Sequence, residues 1–201
     1  MPVVYSLQVR KDRVIIMKVI TGGVTAAKGF EAAGVEAAIK YKNRKDMAMV
    51  YSQKPCVLAG TFTTNVVKAA PVLWDKKVVE ESPFGQAVII NAGIANACTG
   101  AEGYSYCDAT AKAAAKALNI PEDSVLVAST GVIGMQLPID RITAGVEKLA
   151  KVKADTLFRN MKKGRRTMAV VLDEYGGMMG VITIKDLIEQ LVGDYYAYDD
   201  T

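Results

Sequence analysis

Histidine is absent from this sequence of 201 residues, and there are only three cysteines. Without an imidazole ring, the chain has no histidine-based catalytic triad, general base or metal ligand, and we expect no metal site. The cysteines (Cys56, Cys98 and Cys107) form no C-x-x-C pair, and their low, odd number favours a reducing compartment over a disulfide scaffold. Acyl-transfer chemistry would therefore need another base, such as an amine or a carboxylate.

Long apolar runs and a strong charge bias are also missing. No run approaches the roughly 18 apolar residues of a membrane span, and the first 13 residues are too short and polar for a signal peptide. The net charge of +4 is modest, and the densest basic run, Lys162–Arg166, has no nucleic-acid-binding motif beside it. We expect a soluble, cytoplasmic protein without a membrane span and without a nucleic-acid partner.

The chain does contain apolar strands that alternate with alanine-rich helical segments. Strand patterns lead into turns of small residues at Ala87–Gly100 and Ser124–Gly134. The glycine-punctuated segment Gly22–Gly34 predicts loop, and Lys54-Pro55 predicts a break between two strands. We predict an α/β (α+β) fold that combines a larger α/β unit with a smaller one.

The turns at Asn96–Gly100 and Ala128–Gly134 are candidate sites. Turns of this kind direct backbone N–H groups outward, and glycine lets another group approach the backbone closely. Such turns bind anions or stabilise an oxyanion. The alternative is a tight strand-to-helix turn with only a packing role, which spacing by itself favours.

Four ordered segments resemble the bifunctional ornithine acetyltransferase (glutamate N-acetyltransferase) family of arginine biosynthesis. The resemblance runs from about residue 17 to about residue 150 and is to the amino-terminal (alpha-chain) part of that family. It implies acetyl transfer from N-acetylornithine to glutamate, some members also using acetyl-CoA, with no required cofactor. The four segments are GGVTAAKGFEAAG, FTTNVVKAAPV, NAGIANACTG and ASTGVIGMQLPID.

The same resemblance implies roles for individual residues. Thr130 and Gly131, in the S-T-G-V-I-G segment, would form the oxyanion hole through a hydroxyl and a backbone N–H. The family's nucleophile is a threonine, freed by self-cleavage in an Ala-Thr-Met context, whose own amine serves as the base. The only Thr-Met here, Thr167-Met168, follows Arg166. We therefore expect the nucleophile to be missing and activity to be little or none, unless a second chain or a homo-oligomer completes the site.

A second resemblance covers the carboxyl-terminal part. Residues Asp173–Asp194, DEYGGMMGVITIKDLIEQLVGD, are similar to a CBS motif of the CorC/hemolysin C group of cation-efflux proteins. This implies an adenine nucleotide, ATP or AMP, held by Thr183 at the end of a strand and by Asp186 in the first helical turn. The alternative for these two residues is a helix cap and a first-turn acid.

These resemblances predict a discontinuous organisation. We assign residues 11–151 to the acetyltransferase-like fragment, and residues 152–201 with the strand in residues 1–10 to the CBS-like unit. The seam is expected at Lys151–Lys153, between two helices or inside a fused helix. Three functions stay open: an acetyltransferase fragment, a nucleotide-binding regulatory module of a CorC-like ion-efflux protein, and a chimeric or truncated chain without activity.

Overall fold

A computed structural model describes residues 3–9, 15–21, 23–163, 168–172 and 178–183, with side chains for residues 23–153. The chain divides into two units, Met1–Glu147 and Lys148–Thr201. The strands are β1 (Val3–Val9), β2 (Ile15–Thr21), β3 (Phe30–Val35), β4 (Met47–Val57), β5 (Phe84–Ile94), β6 (Val125–Val132), β7 (Met168–Leu172) and β8 (Met178–Thr183); the helices are α1 (Ala70–Glu81), α2 (Gly100–Leu118) and α3 (Ile139–Lys163), with short 3-10 helices at Val24–Ala26 and Glu122–Ser124.

The centre of the first unit is a four-stranded mixed sheet in the order β3-β4-β5-β6. β3, β4 and β5 are antiparallel neighbours, whereas β5 and β6 are parallel. Parallel neighbours need a long crossover, and α2 provides it. This α/β arrangement agrees with the predicted fold class.

One face of this sheet forms the core. Aligned side chains lie in rows across the strands, and the row Met49, Ile89 and Val127 is buried. The residues between them along each strand are partly exposed, as the alternation of a strand requires. α3 approaches this face closely, because a Cβ built at Gly145 would overlap the Met47 thioether.

Side chains of α1 cover the outer edge of β6. The Trp74 indole Nε1 donates to the Val125 carbonyl at 3.0 Å, and the Val127 amide donates to Asp75 Oδ1 at 2.9 Å. An uncovered strand edge would present these groups to other chains. Two side chains of α1 thus provide hydrogen-bond partners for backbone groups at the free edge of β6.

The loop between β3 and β4 (residues 36–46, the basic loop) is held by a buried carboxylate. The Asp46 oxygens accept the backbone N–H groups of Ala37 and Ile39, each at 2.7 Å. The Asp46 carbonyl in turn accepts the Ala92 N–H of β5 at 2.8 Å. The basic loop is therefore fixed to the centre of the sheet.

Two sequence predictions about this sheet were wrong. β3 begins inside the segment expected to be loop, because pairing with β4 supplies the backbone hydrogen bonds that glycine-rich sequence does not by itself favour. β4 is one strand that continues through Pro55, with a register shift between Tyr51 and Cys56. Proline lacks the N–H that a regular ladder requires, and the irregularity accommodates it.

In the structure, the first strand pairs with the strand that follows it in the chain. β1 pairs antiparallel with β2 inside the first unit, from Val3↔Thr21 to Val9↔Ile15. The assignment of this strand and residues 152–201 to one CBS-like unit stays a prediction. α3 is a single helix, so residues 146–160 hold no break between two helices. β7 and β8 form a hairpin in the second unit, and the CBS-like assignment of that unit stays a prediction.

Substitution of Asp46 tests the anchoring of the basic loop. Asp46→Ala leaves two buried N–H groups without an acceptor, and each charge-assisted hydrogen bond contributes about 1.5–3 kcal/mol. We expect the free energy of unfolding to fall by at least about 2 kcal/mol, measured by urea denaturation. Asp123→Ala, at an exposed aspartate, is the matched control, and an equal effect of both substitutions would contradict the anchoring role.

Candidate functional site

The two small-residue turns predicted from the sequence lie side by side. Parallel pairing of β5 and β6 aligns Ala92 with Thr130 and Gly93 with Gly131. Both strands end here, and ligands bind outside the carboxyl ends of parallel strands in α/β proteins. The sheet therefore brings the two motifs to one place, although they lie far apart in the sequence.

Close approach of the two backbones explains the glycines. Gly93 and Gly131 have φ angles of +114° and +137°, which residues with a side chain rarely adopt. A Cβ built on Gly131 would overlap the carbonyl group of Gly93. The missing side chain at Gly131 is thus required for strand packing, whatever else the residue does.

Hydrogen bonds continue beyond the strands and join the two turns. The Ala95 amide donates to the Val132 carbonyl at 3.0 Å, and the Gly134 amide donates to the Ala97 carbonyl at 2.8 Å. These bonds tie the loop after β6 to the loop before α2. The turn that contains Thr130 and Gly131 is consequently held in place by hydrogen bonds to the turn before α2.

Thr130 itself is exposed, at the open side of this arrangement. The preceding residue, Ser129, aligns with Asn91 on the buried face, and its hydroxyl is buried without a hydrogen-bond partner among the described residues. Alternation along β6 directs Thr130 to the opposite side. The Thr130 hydroxyl can therefore reach a ligand in solvent.

The turn before α2 uses its polar side chains internally. Asn96 is buried, and its amide donates to the Gly103 carbonyl at 2.9 Å. The Thr99 hydroxyl donates to Asn96 Oδ1 at 2.9 Å. The sequence left both an anion site and a packing role open for this turn, and these side-chain groups hold the turn itself. Asn96 has φ +44°, and the tolerance of asparagine for this region was the available signal.

Cys107 of α2 contacts the buried Asn96 of this turn, and Asp75 of α1 lies near Cys107. Burial raises the pKa of Asp75 to about 6, partly offset by the Val127 amide. Burial, together with the nearby charge of Asp75, raises the pKa of the Cys107 thiol to about 12, while a hydrogen bond from Asn96 acts in the other direction. Cys107 is therefore a neutral thiol near pH 7, which is not the reactive form of a cysteine nucleophile.

The other predicted site residues lie elsewhere in the chain. Thr183 is the last residue of β8 and pairs with Met168. Asp186 lies outside the described residues, so the nucleotide site predicted from Thr183 and Asp186 stays a prediction. Within the described residues there is no cluster of carboxylates and thiols that could hold a metal ion. None of the described helices is both long enough and apolar enough to cross a membrane.

The sequence of this chain matches a known protein family. The model of the ArgJ family matches residues 31–171, more than half of the chain. The chain belongs to the ArgJ family. The match includes both turns and extends past residue 151, where we expected the acetyltransferase-like fragment to end.

Individual ArgJ proteins agree with this assignment. The arginine biosynthesis bifunctional protein ArgJ of Thermotoga neapolitana is 50% identical over 125 residues, which are 62% of this chain and 31% of that protein. The crystal structure of ArgJ from Bacillus halodurans aligns with a TM-score of 0.61 at 41% identity, covering 64% of this chain and 66% of the other. Ornithine acetyltransferase from Mycobacterium tuberculosis, solved with ornithine, gives the same TM-score at 47% identity, covering 64% and 69%. The chain spans about a third of the length of the curated ArgJ relatives.

Gly131→Ala tests the packing of the two strands in this ArgJ-family fold. The new Cβ meets the Gly93 carbonyl, and the backbone conformation is unfavourable for alanine. We expect the free energy of unfolding to fall by about 2–4 kcal/mol, measured by denaturant titration. Gly23→Ala is the control, because a Cβ there meets nothing within 4 Å. Similar stabilities of the two variants would refute the close packing.

Asp75 should make stability depend on pH. Its folded-state pKa of about 6 lies above the ordinary value of 3.8, so its contribution to stability is fully present below pH 3.8 and is lost as pH rises through 6. Asp75→Asn removes this titration and keeps an oxygen for the Val127 amide. After allowance for solvent screening, we expect the variant to gain on the order of 1 kcal/mol relative to the parent between pH 4 and pH 7. Urea unfolding at several pH values measures it, and a difference that does not change with pH would reject the raised pKa.

Proposed function

We propose that this chain provides the oxyanion-stabilising turn of an ArgJ-type acetyl transfer from N-acetylornithine to glutamate, acting in the cytoplasm. Family membership and the parallel alignment of Gly93 with Gly131 support the proposal. The relative from Mycobacterium tuberculosis is an ornithine acetyltransferase solved with ornithine, which supports an amino acid of this class as the substrate.

The proposed chemistry uses the exposed Thr130 hydroxyl and the Gly131 backbone. Attack on an acetyl carbonyl places negative charge on its oxygen, and preorganised donors stabilise that charge without rearranging. The hydrogen bonds of Ala95 and Gly134 fix the turn before a substrate arrives. Removal of one such donor typically costs about 2.7–4 kcal/mol of transition-state stabilisation.

In this proposal, a further segment supplies the nucleophile. The chain spans about a third of its curated relatives, and its only Thr-Met lacks the preceding alanine. Three apolar side chains just after Gly131 are exposed (Val132, Ile133 and Met135). Exposed apolar groups beside a site are typical of a surface that another segment covers. In the proposal, this segment is the remaining part of an ArgJ-type protein, on the same or a second chain.

A chimera tests the role of Thr130. Residues 31–150 of this chain replace the matching segment of Thermotoga neapolitana ArgJ, and acetyl transfer from N-acetylornithine to glutamate is measured. We expect activity in the chimera and none in this chain by itself, because only the chimera has the nucleophile. Thr130→Ala should lower kcat by about 100-fold or more, and Thr130→Ser should restore most of it by retaining a hydroxyl.

Thr143→Ala in the same chimera is the matched control. Among the described residues, the Thr143 hydroxyl donates only to carbonyls of its own helix, those of Ile139 and Asp140, each at 3.1 Å. Its replacement should leave kcat nearly unchanged. If Thr130→Ala were as active as Thr143→Ala, the turn would not stabilise the oxyanion, and transfer by the chain alone would disprove the need for a further segment.

A further inference from the structure

Two residues of the turn before α2 have an unusual backbone conformation. Asn96 and Cys98 have φ angles of +44° and +57°, in the left-handed region that favours glycine. Asparagine tolerates this region better than cysteine does, but both residues are strained there and keep the conformation only where their surroundings enforce it. Contacts with neighbouring elements therefore hold this turn.

Asn96 makes the contacts that join the turn to both neighbouring helices. Its side chain is buried, and its Nδ2 donates to the Gly103 carbonyl at 2.9 Å and to the Cys107 Sγ at 3.4 Å, both on α2. Its Oδ1 accepts the Thr99 hydroxyl at 2.9 Å. Its backbone carbonyl accepts the N–H of Ala70, the first residue of α1, at 3.3 Å. One buried residue thus links α1, α2 and the turn.

A glycine inside α2 allows this close contact. Gly103 lies in the helix, where glycine is less favourable than alanine. A Cβ built on Gly103 would overlap the Thr99 hydroxyl oxygen and would lie 2.9 Å from Asn96 Oδ1. Any larger residue would push these two side chains away from the helix. The glycine weakens the helix but keeps the side chains of the turn packed against it.

Backbone hydrogen bonds on either side of Asn96 reach the end of β6 and the loop after it. The residue before Asn96, Ala95, donates its N–H to the Val132 carbonyl at 3.0 Å. The residue after it, Ala97, accepts the Gly134 N–H at 2.8 Å. A displacement of Asn96 would therefore disturb both bonds. Val132 directly follows the residue whose N–H is proposed to face the oxyanion, so the disturbance would reach that N–H.

We propose that Asn96 is a positioning residue for acetyl transfer, because its side chain holds the turn that in turn holds the backbone at Thr130 and Gly131. The inference rests on the proposed function, since it concerns the same oxyanion-stabilising turn. Donors to a developing negative charge act only when they are preorganised, and a misplacement of about 1 Å can cost about 100-fold in rate. The oxyanion forms only in the transition state, so loss of this positioning lowers kcat and leaves KM nearly unchanged.

Amide hydrogen exchange of the whole chain tests the positioning without turnover. Asn96→Asp keeps an oxygen for Thr99 but loses both side-chain N–H donors, and Thr99→Val is a second variant in case Asn96→Asp does not fold. In either variant we expect the Gly134 amide to exchange about fivefold faster or more, as the loss of one hydrogen bond allows local opening. Exchange of the Val127 amide in the sheet should change less than twofold. Unchanged exchange at Gly134, or an equal rise at Val127, would overturn the proposal.

Kinetics of the chimera with Thermotoga neapolitana ArgJ test the catalytic consequence. We expect Asn96→Asp and Thr99→Val to lower kcat by about 10- to 100-fold and to leave KM for N-acetylornithine within about twofold of the parent. Thr99→Ser keeps the hydroxyl that Asn96 accepts and should restore most of kcat. A raised KM with an unchanged kcat would overturn the positioning role.

Asn119→Asp is the matched control, because Asn119 is an exposed asparagine with φ +54° at the other end of α2. The same substitution in a similar backbone conformation should leave kcat and the exchange of Gly134 nearly unchanged. If Thr130→Ala lowers kcat and Asn96→Asp does not, the positioning role is wrong and the proposed function stands. If Thr130→Ala also keeps full activity, the proposed function is wrong as well.

Discussion

The parallel contact between β5 and β6 is the constraint on which the rest of the structure depends. Gly93 and Gly131 meet there with no side chain between them, and both backbones adopt conformations that favour glycine. This contact aligns the two turns, and α2 can then close the crossover. The exposed Thr130 hydroxyl follows from the same alignment, since its neighbour Ser129 faces the interior.

Buried and half-buried polar side chains hold the connections around that contact. Asp46 fixes the basic loop, Asn96 fixes the turn before α2, and Asp75 satisfies the edge of β6. Each bonds to backbone groups that a loop or an edge would otherwise leave without a partner, which is costly in a buried position. These three side chains are thus committed to the fold, whereas Thr130 and three cations of the basic loop (Lys42, Arg44 and Lys45) are exposed.

Local sequence patterns predicted much of the fold, and β3, β4 and Lys40 show which features such patterns do not predict. Apolar runs located β5 and β6, and the small residues after them located the turns. β3 was missed because its glycine- and alanine-rich sequence becomes a strand only through pairing with β4. The continuation of β4 through Pro55 depends on a shift in pairing with β5, which no local rule contains. No local pattern predicted that Lys40 lies beside Gly93, because this proximity arises only when the loop between β3 and β4 packs against β5.

The sequence by itself determined where β5 and β6 form, that histidine chemistry is excluded and which family the four ordered segments resemble, because these depend on residue types and short spacings. Only the tertiary structure decided that Gly131 lies against Gly93, that Asn96 is used internally and that the basic loop lies beside the same turn. It also decided that residues 146–160 lie in one helix and that β1 pairs with β2. The contact of Gly131 with Gly93 and the position of the basic loop depend on contacts between residues distant in the sequence, which appear only when the strands and loops have packed together.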